Sequence, residues 1–222
     1  MKNLYLLILL LATLSSCNKK TILLPEIQNA NITAITDVSP AYIFYDITKP
    51  DGVELNRKNL ISTTNWLVNV DKRLTLKQAI PHIKFLQEKK RNSSHKNENA
   101  KNYFTCNDTS IKNLGFIDFT DIVYESSFDD KALTSLNSSS QFGMVEFISS
   151  EQIEIKSNYE GHIETLNLNF DELLSYLSKS NYLTLKLSFN SNLTFQDYIT
   201  IKSLLRSLKN ESTSISNEEF IY

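Results

Sequence analysis

Few side chains in this sequence are spaced to do chemistry. Three histidines, His82, His95 and His162, are dispersed, and no H-x-x-x-H, H-E-x-x-H or C-x-x-C spacing gathers metal ligands. His95, Cys106 and Asp108 are near enough in sequence to be weighed as zinc ligands, but they read better as solvated loop residues. Glycan cleavage by carboxylates needs two acids facing one substrate. Asp118 and Asp121 flank an apolar run, yet their spacing puts them on opposite faces of a strand, and Asp129 and Asp130 fall in a polar loop. With four glycines in 222 residues and no G-x-S-x-G, there is little from which to build a nucleophile elbow or a phosphate-cradling loop. No catalytic residue, metal ligand or cofactor is assigned.

One thiol stands apart. Lys2 precedes the apolar run Leu4 to Leu11, and small polar residues then lead to Cys17. The run is shorter than the roughly 20 residues of a spanning helix and reads as a signal peptide. Leu14-Ser15-Ser16-Cys17 resembles the bacterial lipobox: small side chains admit a peptidase to the backbone, and the cysteine takes a diacylglycerol thioether. The resemblance implies a cleaved leader over 1–16, lipidation at Cys17 and a tether over 17–31. Acyl chains worth about 0.8 kcal/mol per buried methylene then hold the chain on a membrane. The Asn-, Lys-, Ile- and Ser-rich, Gly-poor texture is similar to that of Bacteroidota lipoproteins. Asn18-Lys19-Lys20 is basic, however, where surface-sorted members of that group carry acids. The expected location is the bacterial cell envelope, at the outer membrane and facing the periplasm. Once Cys17 is lipidated, Cys106 has no intramolecular partner and reads as a buried, inert thiol.

Composition narrows the classes further. With 23 basic against 25 acidic side chains and 41% hydrophobic residues, the chain is neither collagen-like, disulfide-stapled nor fully disordered. Near-zero net charge argues against nucleic acid as a partner, since counterion release needs a basic face.

Hydrophobic periodicity divides the mature chain into two α/β units, 32–128 and 141–222, with polar loops at 89–101 and 129–140. In the first unit, Ala41 to Ile47 reads as a strand ending in the turn Lys49-Pro50-Asp51-Gly52. Val53 to Asn56 returns, and Trp66 to Val70 is a further strand. Leu76, Ala79, Ile80, Ile83 and Leu86 form the stripe of a helix over Thr75 to Lys90, with Pro81 expected to end, kink or restart it. Leu114 to Val123 reads as the strand closing this unit. The second unit shows strands at Ile153–Lys156 and Ile163–Leu168 and a helix over Asp171–Lys179 with Asn169 as N-cap. The alternating strand Tyr182–Phe189, a helix over Phe195–Lys209 and an edge strand at Glu218–Tyr222 complete it. The fold class is therefore α+β, two β-β-α-β-α units of mixed sheet covered by helices. Asp71-Lys72-Arg73-Leu74-Thr75-Leu76 and Asn190-Ser191-Asn192-Leu193-Thr194-Phe195 align as corresponding connections, so an internal duplication competes with convergent use of one grammar.

The second unit also resembles, over about 70 residues of hydrophobic spacing, the periplasmic domain of the ExbD and TolR biopolymer transport family. Its strand, Glu160-Gly161 turn, strand, helix, alternating strand and Leu193-x-Phe195 entry to a helix follow that pattern. The family's transmembrane helix with its proton-carrying Asp has no counterpart in the leader, so the likeness implies only a small domain that dimerises or binds an envelope partner. Tyr42, Tyr45 and Trp66 are the candidates for an interaction surface, with Tyr42 and Phe44 expected to turn inward and Tyr45 outward. The functional expectation is a lipid-anchored accessory or assembly subunit acting through protein contact without catalysis. An envelope glycan hydrolase, or a lipoprotein binding a glycan or small ligand, is the alternative.

Overall fold

The computed structural model describes residues 20–95, 97–126, 142–159, 162–179, 184–206 and 214–222. The chain forms strands β1 (Glu26–Ile27), β2 (Val38–Tyr45), β3 (Val53–Asn56) and β4 (Asn65–Val70), helix α1 (Leu76–Arg91), and strands β5 (Asn102–Asp108), β6 (Asn113–Asp118) and β7 (Val123–Glu125). It continues through β8 (Phe142–Phe147), β9 (Ile153–Tyr159), β10 (His162–Leu168), α2 (Phe170–Lys179), β11 (Thr184–Phe189), α3 (Phe195–Arg206) and β12 (Ser214–Ile221). Two mixed six-stranded sheets result. The first runs β1-β5-β4-β2-β3 with β6 on the free side of β5; the second runs β10-β9-β8-β11-β12-β7.

The α+β class and the two similar units agree with the sequence reading. In each unit a first strand (β2, β8) pairs antiparallel with the next (β3, β9) and parallel with a third (β4, β11), which pairs parallel with a fourth (β5, β12). A helix, α1 or α3, makes the crossover to the fourth strand. The units differ between second and third strands, where the first has the turn segment 57–64 and the second inserts β10 and α2.

The two strand-to-helix connections pair with each other. The first N–H groups of a helix have no partner inside it, and here each helix borrows acceptors from the other unit's loop. Leu76 N–H donates to Leu193 O (2.9 Å) and Phe195 N–H to Leu74 O (2.7 Å). Lys77 N–H donates to Ser191 O (2.9 Å) and Gln196 N–H to Lys72 O (3.2 Å). The same sequence offset relates every pair, with Thr75 opposite Thr194 at the centre, so the junction has pseudo-two-fold symmetry. Both threonines also cap their helices: Gln78 N–H donates to Thr75 Oγ1 and Asp197 N–H to Thr194 Oγ1, with Gln78 and Asp197 reaching back to the threonine N–H.

The core is continuous across this junction. Phe104 of β5 stacks on Phe119 with centroids 3.8 Å apart and meets the edges of Phe195 and Tyr198 from α3. Tyr198 in turn meets Phe189 of β11 at 5.1 Å. Helix α3 thus buries one face, through Phe195, Tyr198, Ile199, Ile201 and Leu205, and leaves Thr200 and Arg206 exposed.

Several expectations are corrected. Within the tether span 17–31, Leu23 and Glu26–Ile27 lie on the body: β1 pairs parallel with β5, and Lys72 N–H donates to Leu23 O. The closing strand Leu114–Val123 breaks at 119–122, because Asp118 accepts from Thr120 N–H and Oγ1 and turns the chain. Its second part, β7, leaves the first unit and pairs with β12 in the second sheet. The C-terminal strand is consequently internal, between β11 and β7, rather than an edge. Strand β5 has no counterpart in the sequence reading, since burial of both faces removes the alternation that marks a strand. Helix α1 runs unbroken through Pro81, whose side chain is exposed and whose helix start is held by the other unit's carbonyls.

Candidate functional site

Cys17 and the leader lie outside the described residues, as do Asp129, Asp130 and the side chain of His162. The aromatic surface expected from Tyr42, Tyr45 and Trp66 is not one surface. Along β2 the inward set is Ser39, Ala41 and Ile43; Tyr42 and Phe44 lie on the other face, stacked at 5.7 Å and half-buried, which reverses the expected alternation. Small and branched residues fit under the crossover helix where two rings would not. Tyr45, with the opposite facing from Tyr42, is exposed under the Arg73 guanidinium at 4.6 Å. Trp66 is core, 1% exposed, and its indole N–H donates to Ile61 O at 2.7 Å.

The other chemistry-bearing residues are structural. Cys106 is fully buried, and desolvation pushes its thiol up to about 12. His82, half-buried on α1, is held below its ordinary value by desolvation, against a pull from Asp51. Asp108 is also buried, accepting from Ala30 N–H, Ser110 N–H and Ser110 Oγ, which makes it a clasp for the chain crossing Gly115. Asp118 accepts from Thr120 and from Lys101 Nζ at 2.9 Å. No group of three metal-ligating side chains occurs among the described residues.

Two ionisable clusters escaped the sequence reading. Glu219 of β12 is 0% exposed and receives the Tyr198 hydroxyl at 2.7 Å and the Lys202 ammonium. Tyr124 of β7 donates to Tyr198 across 3.1 Å, so the network ties the first unit's last strand to the second unit's helix. Burial first, and the charge of Glu219 second, raise both tyrosines well above their ordinary values. The second cluster holds Lys90, 8% exposed. Its Nζ donates to Lys101 O (2.8 Å) and Asn102 Oδ1 (3.1 Å) and sits 5.3 Å from the Trp66 ring centre. With no carboxylate in contact, desolvation lowers it to about 8.

The face that holds Lys20 is ordered by ion pairs. Lys20 Nζ bonds Asp46 at 2.8 Å and also Glu54, and Lys49 approaches Glu54 at 3.6 Å. Hydrogen bonds from Lys20 and Thr48 hold the Asp46 carboxyl well below the usual carboxylate range. The β2–β3 turn beneath is closed by Asp46 N–H to Gly52 O, Lys49 N–H to Asp46 O and Gly52 N–H to Lys49 O. Gly52 has φ +68°, which a side chain adopts only under strain.

Among the described residues, two of the surface grooves border α3 and α1. One, of about 500 Å³, lies between the β1 strap, Phe116 and the outer side of α3 at Thr200 and Ser203. The other, of about 560 Å³, runs from Ile80 and Phe85 of α1 to Tyr124 and Tyr222. No described helix is long and apolar enough to cross a membrane. No protein-family model, curated protein or solved structure matches the chain.

Proposed function

We propose that this chain is a lipid-anchored protein of the bacterial cell envelope, bound through a thioether at Cys17. It holds a rigid two-unit body at the outer membrane on the periplasmic side. Its work is contact with an envelope protein partner, as an accessory or assembly subunit without chemistry of its own. The observation that carries the reading is the leader ending in Leu14-Ser15-Ser16-Cys17, followed within three residues by Lys20, which is already latched to the folded body. The employment of Cys106, Asp108 and Asp118 in packing and turns supports a scaffold over a hydrolase. The patterned likeness of the second unit to the periplasmic domain of the ExbD and TolR family supports contact with an envelope machine.

Intact-mass spectrometry of the mature protein tests the anchor. A diacylglycerol adduct on Cys17, lost in Cys17→Ser, is expected; an unmodified sulfur would end the reading. Asp118→Ala combined with Asp121→Ala is expected to leave the cell's envelope phenotype as in wild type, whereas loss of that phenotype in a folded double variant would favour the hydrolase. The groove beside the β1 strap, with Ile27 and Phe116 under a rim of Thr109, Thr200 and Ser203, favours a second reading as a small-ligand-binding lipoprotein.

A further inference from the structure

The latch at Lys20 ties the start of the described chain to one end of the first sheet. Cys17 and Lys20 are three steps apart, so the chain between them reaches at most about 11 Å. Lys20 is held by Asp46 at the start of the β2–β3 turn and by Glu54 just beyond its end. In that turn, directly after Asp46, is Ile47, 77% exposed, the most exposed large apolar side chain among the described residues. Its exposure is built in. The Asp46–Lys49 and Lys49–Gly52 hydrogen bonds, with Asp46 Oδ1 accepting from Thr48 N–H and Oγ1, close the turn beneath it and fix the backbone that carries it.

The surroundings suit a lipid surface. Leu23 and Tyr45 are exposed on the same end of the first sheet, and Leu23 N–H donates to Asp71, the acid gripped by Arg73, whose guanidinium lies over Tyr45. Most of the charges there are paired: Lys20 with Asp46 and Glu54, Lys49 with Glu54, Lys72 with Glu26, and Arg73 with Asp71. Asp51 of the turn, whose carbonyl accepts from Gln78 Nε2, stays exposed and solvated. Paired ions cost less than lone ones to bring toward a medium of low polarity. Tyrosine and arginine at the level of the headgroups are common membrane-interface anchors.

We infer that the Asp46–Gly52 turn is a membrane-contacting finger, with Ile47 inserted into the interfacial region of the bilayer that holds the Cys17 acyl chains and Lys20 fixing its orientation. This rests on the lipid-anchor reading above. The opposite end of β2 then points away from the membrane, toward partners. Ile61, which bonds Ser39 Oγ through its N–H, marks that end and is 57% exposed. From Ser39 to Tyr45 the strand advances about 20 Å.

The acylated full-length protein is placed on vesicles of phosphatidylethanolamine and phosphatidylglycerol, with an environment-sensitive fluorophore on Ile47→Cys or on Ile61→Cys. Cys17 is blocked by its thioether and Cys106 is buried, so each variant labels at one place. Headgroup-proximal spin-labelled lipid is expected to quench the label at 47 several-fold more than the label at 61. Lys20→Ala should still float with the vesicles while that difference shrinks. Equal quenching at both positions on floating vesicles would overturn the finger and leave the anchor intact. A wild-type protein that neither floats nor carries lipid mass would overturn the anchor, and the finger with it. A label at 47 already shielded in lipid-free Cys17→Ser would assign this surface to a second copy of the chain and overturn the proposal.

Discussion

Lys90 offers the sharpest physical test of the fold. Its ammonium is buried beside Trp66 with two neutral oxygens for company, and desolvation lowers it to about 8 from 10.5. Between those pH values the unfolded chain binds the proton and the folded one releases it, so the stability of the native state rises with pH across that window. The penalty is fully present below pH 8 and gone above the unfolded value. At 1.36 kcal/mol for each pH unit the gap amounts to roughly 3 kcal/mol. Solvent screening at this depth reduces it to about 1–2 kcal/mol. Lys90→Met keeps the stem that packs on the indole and removes the charge. Urea titrations of both proteins, followed by far-UV circular dichroism from pH 7 to 10.5, should show wild-type stability climbing relative to the variant by that amount, at equal m-values. Trp66, the sole tryptophan, gives a second readout, since loss of the cation over its ring should change its emission with a midpoint near pH 8. Parallel stability curves, with no titration of Trp66, would refute the claim that the buried charge is strained.

Further tests address the junction and the strap. Tyr198→Phe removes the donor to buried Glu219 and the acceptor of Tyr124, and is expected to cost about 2 kcal/mol in chemical denaturation; Tyr124→Phe keeps the Glu219 bond and should cost less. Gly115→Ala puts a Cβ 2.5 Å from Ala30 Cβ and 2.9 Å from Ile27 Cδ1, so about 1–3 kcal/mol of destabilisation and faster amide exchange over 26–31 are expected. Pro81→Ala restores the missing N–H to Lys77 O at an exposed site and should raise the midpoint, by about 1–3 kcal/mol of stability. Cys106, buried and with its thiol pushed up to about 12, should react with a thiol reagent only as fast as the protein opens; prompt native labelling would contradict its placement.

Much of the fold was legible because it is local. The stripe of Leu76, Ala79, Ile80, Ile83 and Leu86, the Asn169 cap answered by Glu172, and the Gly52 turn all depend on residues within a few positions of one another. The matching Leu-Thr-apolar connections were legible too, and the structure shows why they match: Thr75 and Thr194 face each other across the junction. The candidate surface was poorly legible. Trp66 reads as a strand-opening aromatic, and only packing, with Lys90 of α1 over its ring, makes it core; the alternation of β2 does not say which half turns inward, so it does not place Tyr42 and Tyr45.

By itself the sequence determined the secondary elements with one buried face, the division into two units, the caps and the lipobox-like leader, because each is written in short-range spacing. Only the tertiary structure decided that β12 is internal, that β7 crosses to the second sheet and that β1 joins the first. It alone brought Glu219 to Lys202 and Lys90 to Trp66. An alternating pattern says which side of a strand is buried but carries no record of which strand lies next to it. Neighbours are chosen by the summed burial and hydrogen bonding of the whole chain, and so are the environments that shift a buried charge.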